Sequence, residues 1–300
     1  MPFKPLVIKS FAKLNLYLQV LNKRKDNFHN LSTLFARIDL ADTLVFRKRQ
    51  DGLIKIKCNS RQVPKDKTNL CYRAAALLKQ EFKLSPGIEI ELKKRIPVGA
   101  GLGGGSSNAA SVLLGLNRFW NLNLPKTKLV KLGAKLGSDV PFFIHQAKFA
   151  LGSLRGDKIK PLDHLRKLKL WFILVYPNFK VSTPLIYKKF DSIFAAGRSF
   201  SQLTRPAGNV KILTSQLLKK GRGVEAHCFF NSLELVTGNL YPVVNQVKKA
   251  VLALGLDRVM MSGSGPAVFA VCDSFRQARS LGGKLGKQHK SWKIFVVSAV

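Results

Sequence analysis

Acidic side chains are the scarcest charged class in this chain. The sequence has 16 Asp and Glu residues against 51 Lys and Arg residues, and its formal net charge is +35 at pH 7. A surface of this sign attracts anions, so nucleic acid, an anionic membrane surface and a phosphorylated small molecule all fit it. The cations are spread along the chain without forming an arm or a tail, so a drift in composition would produce the same total. The charge alone therefore does not select a partner.

Cysteines and long apolar runs are also few. The four cysteines lie far apart, with no C-x-x-C pair and no pair of His residues at metal-ligand spacing, so the sequence has no zinc motif and indicates a reducing compartment. The longest apolar run, residues 170–176, falls far short of the roughly 20 residues of a membrane-spanning helix. Lysines interrupt every apolar stretch near the N-terminus, so we expect no hydrophobic region of a signal peptide there. We therefore expect a cytoplasmic protein with no membrane partner.

The composition is sufficient for a large folded core. With 300 residues, of which 46% are hydrophobic, the chain can form one large domain or two ordinary ones. Apolar periodicity in the first half alternates between that of strands and that of helices. It predicts strands over 5–20, 54–57 and 88–96, a helix over 70–82, and a second helix that starts near Ser106.

A polar, turn-rich segment at 152–169 separates this half from the next. We place the domain boundary there, with an N-terminal domain of residues 1–162 and a C-terminal domain of residues 163–300. The second half mixes helices with antiparallel strands, so the predicted fold class is α+β. Its helices are predicted over 182–193, 215–219 and 239–254, and its strands over 170–176, 258–261, 267–272 and 292–297.

A glycine-rich segment between a predicted strand and a predicted helix is the strongest local signal. It reads PVGAGLGGGSS and has five glycines in seven residues. Glycines allow successive backbone N–H groups to turn inward together, and the next helix adds its unpaired N–H groups and the positive end of its dipole. The pattern predicts a phosphate-binding loop. Its residues are Pro97, Val98, Gly99, Ala100, Gly101, Leu102, Gly103, Gly104, Gly105, Ser106 and Ser107.

Two well-known phosphate motifs do not fit this loop. Residues 99–104 match G-x-G-x-x-G, but no acid lies between Glu91 and Asp139 to hold a ribose hydroxyl, as a dinucleotide-binding site requires. A Walker A loop needs Lys and then Ser or Thr after its last glycine, whereas Gly104 is followed by Gly and Ser. The loop therefore belongs to neither class.

Three further segments are candidates for chemistry. Asp139 precedes an apolar stretch, where a carboxylate can act as a general base, although a helix cap explains it as well. Lys13 and Asn15 point to the same side of a strand and can bind phosphate or a substrate oxygen, although a solvated strand face is equally compatible. A second glycine turn at 261–269 is either part of a site or a plain hairpin.

In this order, the segments A-K-L-N at 12–15, P-V-G-A-G-L-G-G-G-S-S, G-S-D-V-P-F-F and a late G-S-G-P resemble the GHMP family of small-molecule kinases over nearly the whole chain. The resemblance implies a two-domain fold with a ribosomal-protein-like N-terminal domain and a ferredoxin-like C-terminal domain. It implies an ATP-dependent kinase that uses Mg²⁺, with Asp139 as the catalytic base and Lys13 as its charged partner. The glycine loop would then bind ATP.

The same resemblance implies a cytidylyl sugar alcohol as the acceptor, phosphorylated on its 2-hydroxyl. The segment Asp26-Asn-Phe-His29 stands where such family members have Asp-Gly-Tyr-His. Phe28 keeps an aromatic face for the base, and Asn27 tolerates the positive φ that glycine would adopt. Tyr187 would stack opposite Phe28. The residues implied to bind this substrate are Asn15, Phe28, His29, Thr183 and Tyr187.

Two alternatives remain open. A GHMP kinase for homoserine or mevalonate would have no base to stack, so Phe28 and His29 argue against it. A basic nucleic-acid-binding protein on a kinase scaffold is suggested only by the charge, and we expect no specific nucleic-acid partner beyond non-specific binding of anions. The chain is expected to be a monomer or a homodimer.

The chain departs from the usual family pattern at Asn231-Ser-Leu-Glu234, where Asn-Asp-Leu-Glu is typical, and at Gly156-Asp157, where Gly-Glu is typical.

Overall fold

Two antiparallel-rich β-sheets and the helices packed against them make up the fold. The structure is a computed structural model that describes residues 4–195, 209–220 and 224–300. Within these ranges, no helix combines the length and the apolar character needed to cross a bilayer. The arrangement is α+β, which confirms the predicted fold class.

The first sheet is organised by a long hairpin. Strand β1 (Leu6–Lys23) pairs antiparallel with β2 (His29–Arg49) along most of its length. The opposite edge of β2 pairs with two other strands, one near each end. The sequence predicted β1 but not β2. The other strands of this sheet are β3 (Ile54–Cys58), β4 (Gly87–Lys93), β5 (Phe149–Ser153), β6 (Lys158–Pro161) and β8 (Phe230–Asn231).

Helices of the first half cover one face of this sheet. They are α1 (Leu70–Glu81), α2 (Gly104–Phe119), α3 (Lys126–Leu136) and α4 (Val140–His145). Apolar residues of α2 such as Val112 and Leu116 are fully buried against Phe46 and other side chains of the sheet. Helix α2 begins two residues before the predicted start, because Gly103 has a left-handed φ of +67° and ends the loop there.

The second sheet is antiparallel throughout the described residues. Its strands are β7 (Trp171–Tyr176), β9 (Val259–Met261), β10 (Val268–Cys272) and β11 (Lys293–Ser298), in the order β11-β7-β10-β9. All four were predicted to within two residues at each end. Its helices are α5 (Thr183–Ala195), α6 (Val210–Lys220), α7 (Glu234–Leu240), α8 (Val243–Leu252) and α9 (Phe275–Gln288).

Two helix predictions in this half were wrong in extent. The single helix predicted over 239–254 is divided at Tyr241 and Pro242, because proline has no N–H to continue the hydrogen-bond pattern. The short helix predicted over 215–219 is the end of the longer α6. Helix α9 was not predicted at all. Its three glycines, at 282, 283 and 286, weaken the helical pattern in the sequence.

Alternate residues of β7 pack on opposite sides of the second sheet. Phe172 and Leu174 face the first sheet, where they join a core shared with Leu14 and Leu34. Ile173 and Val175 face the helices of the second half. A period of two along a buried strand produces this division, and the shared core joins the two sheets.

The polypeptide changes from one sheet to the other between β6 and β7. The segment between them contains the predicted boundary at residues 162 and 163, which stays a prediction. Strand β8 belongs to the second half of the chain but pairs in parallel with β1, where Phe230 and Asn231 lie opposite Tyr17 and Leu18. The two halves are therefore joined by backbone hydrogen bonds as well as by their core.

Candidate active site

A cavity of about 920 Å³ lies between the glycine loop, the β1–β2 hairpin and α5. Among the predicted site residues, it is lined by Lys13, Asn15, Phe28, His29, Asp139, Thr183, Tyr187 and residues 97–106 of the loop. Ser107 is not part of the lining. It is buried behind the loop, where its hydroxyl lies 2.7 Å from that of Ser10. The fold thus collects residues from four distant segments around one space.

The glycine loop is held in place by the second glycine turn. The Gly101 carbonyl accepts a hydrogen bond from the Ser262 hydroxyl at 3.1 Å, and the Ala100 carbonyl accepts one from the Ala267 N–H at 3.3 Å. Gly101 has a φ of +75°, and a Cβ there would lie 2.1 Å from the Ser262 carbonyl oxygen. Close backbone approach explains this glycine. The turn at 261–269 is therefore a support for the loop as well as a connection between β9 and β10.

Lys13 lies at the centre of these contacts. Its side chain is only 5% exposed, and its Nζ donates to Asn15 Oδ1 at 2.5 Å and to the Gly101 carbonyl at 3.0 Å. The Asp139 carboxylate is 3.7 Å away. Burial lowers the pKa of Lys13, while the negative charge of Asp139 acts to raise it. An ammonium group is thus fixed beside the loop and a carboxylate.

Asp139 stands at the N-cap position of α4, but its side chain makes no capping hydrogen bond. The carboxylate is 29% exposed, lines the cavity, and has the Lys13 ammonium as its cationic neighbour. A carboxylate that is not used as a cap and faces the cavity is available to a ligand. The alternative of a purely structural cap is therefore wrong.

A second buried ion pair supports the start of the loop, and the sequence did not indicate it. Asp42 on β2 is fully buried and pairs with the Lys94 ammonium. Its Oδ1 atom accepts from the N–H groups of Arg95 and Ile96 at 2.7 and 2.9 Å. Asn108 on α2 donates to its other oxygen at 2.9 Å. One carboxylate thus ties together both ends of the glycine loop.

The other end of the cavity is aromatic. His29 is buried, and its ring stacks on that of Tyr187 with centroids 5.1 Å apart. Phe28 is 50% exposed and has the Arg155 guanidinium 5.0 Å from its ring centroid. Asn27 has a φ of +63°, which confirms that it adopts the conformation expected of glycine there. Phe28 and Tyr187 line the same space, and the base predicted between them stays a prediction.

The unusual segment at 231–234 supports the second glycine turn. The Asn231 amide donates to the carbonyls of Met261 and Gly263, both at 2.8 Å. The Ser232 hydroxyl accepts from the Val20 N–H at 3.0 Å. Glu234 accepts from the Met261 N–H at 2.7 Å. Serine at position 232 is thus accommodated by a backbone contact to β1.

Comparison with known proteins identifies the family. Residues 69–147 match the model of the GHMP kinases N terminal domain, and residues 211–291 match that of the GHMP kinases C terminal domain. The 4-diphosphocytidyl-2-C-methyl-D-erythritol kinase of Moorella thermoacetica is 40% identical over 280 residues, which are 93% of this chain and 94% of that protein. The chain belongs to the GHMP kinase family. This confirms the resemblance drawn from the motifs.

Solved structures agree with this assignment. A crystal structure of 4-(cytidine 5'-diphospho)-2C-methyl-D-erythritol kinase superposes with a TM-score of 0.78 and 33% identity, covering 98% of each chain. Homoserine kinase from Cytophaga hutchinsonii has a TM-score of 0.70 at 18% identity, covering 100% of this chain and 96% of that one, and so shares the fold alone. The two-domain GHMP kinase fold predicted from the sequence is confirmed.

The family models divide the site unevenly. The glycine loop and Asp139 lie within the matched residues 69–147, whereas Lys13 and His29 lie before them. The β1–β2 hairpin that carries Lys13 and His29 is nevertheless part of the same sheet. In this GHMP kinase, the two long strands bring the unmatched residues into the cavity.

Replacing Gly101 with alanine tests the contact between the two glycine turns. The new Cβ would collide with the Ser262 carbonyl at a left-handed φ, so the loop must shift. A shift of about 1 Å near reacting groups costs roughly 10²-fold in rate, and we expect kcat/KM for kinase activity to fall by that order. Gly283→Ala is the control, since its Cβ would meet nothing within 4 Å. A Gly101→Ala enzyme as active as this control would contradict the account.

Proposed function

We propose that this GHMP kinase transfers the γ-phosphoryl group of ATP to the 2-hydroxyl of 4-diphosphocytidyl-2-C-methyl-D-erythritol, in the non-mevalonate synthesis of isoprenoid precursors. One observation carries the proposal. The same cavity contains both the Lys13 and Asp139 pair and an aromatic corner formed by His29 and Tyr187. The names of the relatives at 40% and 33% identity support the same substrate. Action in the cytoplasm, as a monomer or homodimer, is part of the proposal.

The glycine loop binds the phosphates of ATP in this proposal. Its backbone leaves N–H groups beside the cavity, and α2 adds the positive end of its dipole. Helix α2 has 16 residues, from Gly104 to Phe119, so the peptide dipoles along it add up to a helix macrodipole. Asp42 fixes the backbone just before the loop, and Ser262 fixes the loop itself. The donors are therefore oriented before the nucleotide arrives, which is the main protein contribution to phosphoryl transfer.

Asp139 takes the proton of the acceptor hydroxyl in this proposal. As the alcohol oxygen attacks the γ-phosphorus, the bond to the bridging oxygen of ADP breaks, and the proton passes to the carboxylate. The Lys13 ammonium, 3.7 Å from Asp139, stabilises the negative charge on the transferred group. Hydrogen bonds to Asn15 and Gly101 hold that ammonium group in place and keep it from moving closer to the carboxylate.

The residues of the cavity fit a magnesium ion that is held mostly by the phosphate groups of ATP. Among the described residues, no group of three His, Cys, Asp or Glu side chains could cage a metal ion. Mg²⁺ commonly uses one carboxylate, waters and phosphate oxygens, and the Asp139 carboxylate and the Ser106 hydroxyl, which both line the cavity, would hold it. When bound, the ion neutralises phosphate charge.

The aromatic corner distinguishes the cytidylyl acceptor from the alternatives. Homoserine and mevalonate have no base, so they leave Phe28, His29 and Tyr187 without a ligand. A nucleobase fits flat aromatic faces and a ring nitrogen at the edge. This corner therefore favours the cytidylyl substrate over the other two alcohols.

The proposed reaction is tested by ADP release from Mg·ATP. The purified protein is supplied with 4-diphosphocytidyl-2-C-methyl-D-erythritol, homoserine, mevalonate or no acceptor. We expect ADP release above background with the cytidylyl substrate alone, because only it occupies both ends of the cavity. Faster release with homoserine or mevalonate, or no release with any acceptor from a folded protein that binds ATP, would refute the proposed substrate.

Asp139→Asn tests the proposed base. An amide keeps the shape of the side chain but accepts no proton, so kcat should fall by about 10² or more. Binding of ATP, measured by calorimetry, should change little because the glycine loop is intact. Asp163→Asn, at an exposed acid away from the cavity, is the matched control and should keep full activity. Near-normal turnover of Asp139→Asn would remove Asp139 from this role.

A further inference from the structure

The aromatic corner of the cavity contains a carboxylate that no sequence motif indicated. Asp191 on α5 places Oδ1 2.7 Å from Nε2 of His29 and Oδ2 2.7 Å from Nζ of Lys23. The His29 side chain is only 3% exposed and that of Asp191 is 26% exposed. Lys23 and His29 lie opposite each other at the end of the β1–β2 hairpin. The carboxylate therefore links α5 to this hairpin through the imidazole.

This contact determines which nitrogen of His29 has the hydrogen. A carboxylate paired with an ammonium is an acceptor only, so the imidazole must donate to it from Nε2. In the neutral ring, the other nitrogen, Nδ1, then has a lone pair and acts as an acceptor. Among the described residues, Nδ1 has no hydrogen-bond partner. His29 lines the cavity and its Nε2 is occupied by Asp191, so Nδ1 is the ring atom that it can offer to a ligand.

Two aromatic side chains also fix the orientation of the His29 ring. Tyr187 stacks on one face at 27°, and Phe190 meets the ring edge-on with centroids 6.2 Å apart. Both residues lie on α5, together with Asp191. Since three side chains of one helix fix its orientation and its tautomer, the position and character of Nδ1 are both set before a substrate binds.

A fixed acceptor discriminates between pyrimidine bases. Cytosine has an exocyclic amino group, a donor, where uracil has a carbonyl oxygen, an acceptor. Nδ1 with a lone pair pairs with the amino group and repels the carbonyl oxygen. We propose that Asp191 is the positioning residue that makes this site select cytosine over uracil, by holding His29 as the Nε2–H tautomer. The proposal rests on the proposed function, which puts the base in this corner.

The substitution Asp191→Asn distinguishes the proposed positioning role of Asp191 from a purely structural link between α5 and the β1–β2 hairpin. The amide has the shape of the carboxylate, but it can donate to Nε2 as well as accept from it. The imidazole is then free to place its hydrogen on Nδ1, which turns the acceptor into a donor. A tie that merely holds α5 to the hairpin would survive this change, because the amide still forms one hydrogen bond to the ring.

The test measures binding of the cytidylyl substrate and of its uridylyl counterpart by calorimetry, without ATP and at pH 8. We expect the wild-type protein to bind the cytidylyl compound at least about 30-fold more tightly, since a polar group that faces the wrong edge is left unpaired. In Asp191→Asn this ratio should fall at least about tenfold. KM for ATP and kcat at saturating cytidylyl substrate should stay within about threefold, because the change is remote from the phosphoryl transfer. Asp163→Asn is again the control.

A spectroscopic readout examines the tautomer directly. The ¹⁵N shifts of the His29 ring, assigned by comparison with His29→Asn, should report hydrogen on Nε2 in the wild-type protein and a mixture of tautomers in Asp191→Asn. An unchanged base preference and an unchanged tautomer in Asp191→Asn would overturn this proposal alone. An equal loss of affinity for both bases would also overturn it, in favour of a structural tie. A wild-type protein that binds neither compound would instead overturn the proposed function.

Discussion

The burial of one ammonium group constrains the rest of this site. The Lys13 side chain is buried, so water cannot solvate its charge and its hydrogen bonds must come from the protein. They come from Asn15 and from the Gly101 carbonyl, and Asp139 supplies the opposing charge. The loop must therefore pass close to β1, and this is possible only because the Gly101 and Gly263 positions have no side chain to obstruct the approach. The arrangement of the loop follows from the need to satisfy this cation.

Three of the few carboxylates in this chain have distinct roles. Asp42 fixes the backbone before the loop, Asp139 faces the acceptor, and Asp191 orients an imidazole at the far end of the cavity. Each has a lysine as neighbour, so none is a buried charge without a partner. With 51 basic residues in the chain, a lysine is available at each of these places. The excess of positive charge is therefore compatible with precise placement of the negative charges.

Local patterns made part of this structure predictable. The glycine loop follows from turn chemistry, the Lys13 and Asn15 pair from alternation along β1, and the strands of the second sheet from short apolar runs. Strand β2 was missed because consecutive residues from Thr33 to Ala36 are all buried, which removes the alternation. The roles of Asp42 and Asp191 were missed for a different reason. Their partners Lys94 and His29 lie 52 and 162 positions away in the sequence, and only the folded chain brings them together.

The titration of Lys13 tests most directly whether the Lys13 and Asp139 pair organises the site. The ¹³Cε resonance of Lys13, assigned with Lys13→Met, is followed against pH in the wild-type protein and in Asp139→Asn. We expect a pKa below the usual 10.5 for Lys13, because burial disfavours its charge, and a lower value still in Asp139→Asn, because the carboxylate favours the charged form. A Lys13 that titrates at or above 10.5, or that is unaffected by the loss of the carboxylate, would contradict this account.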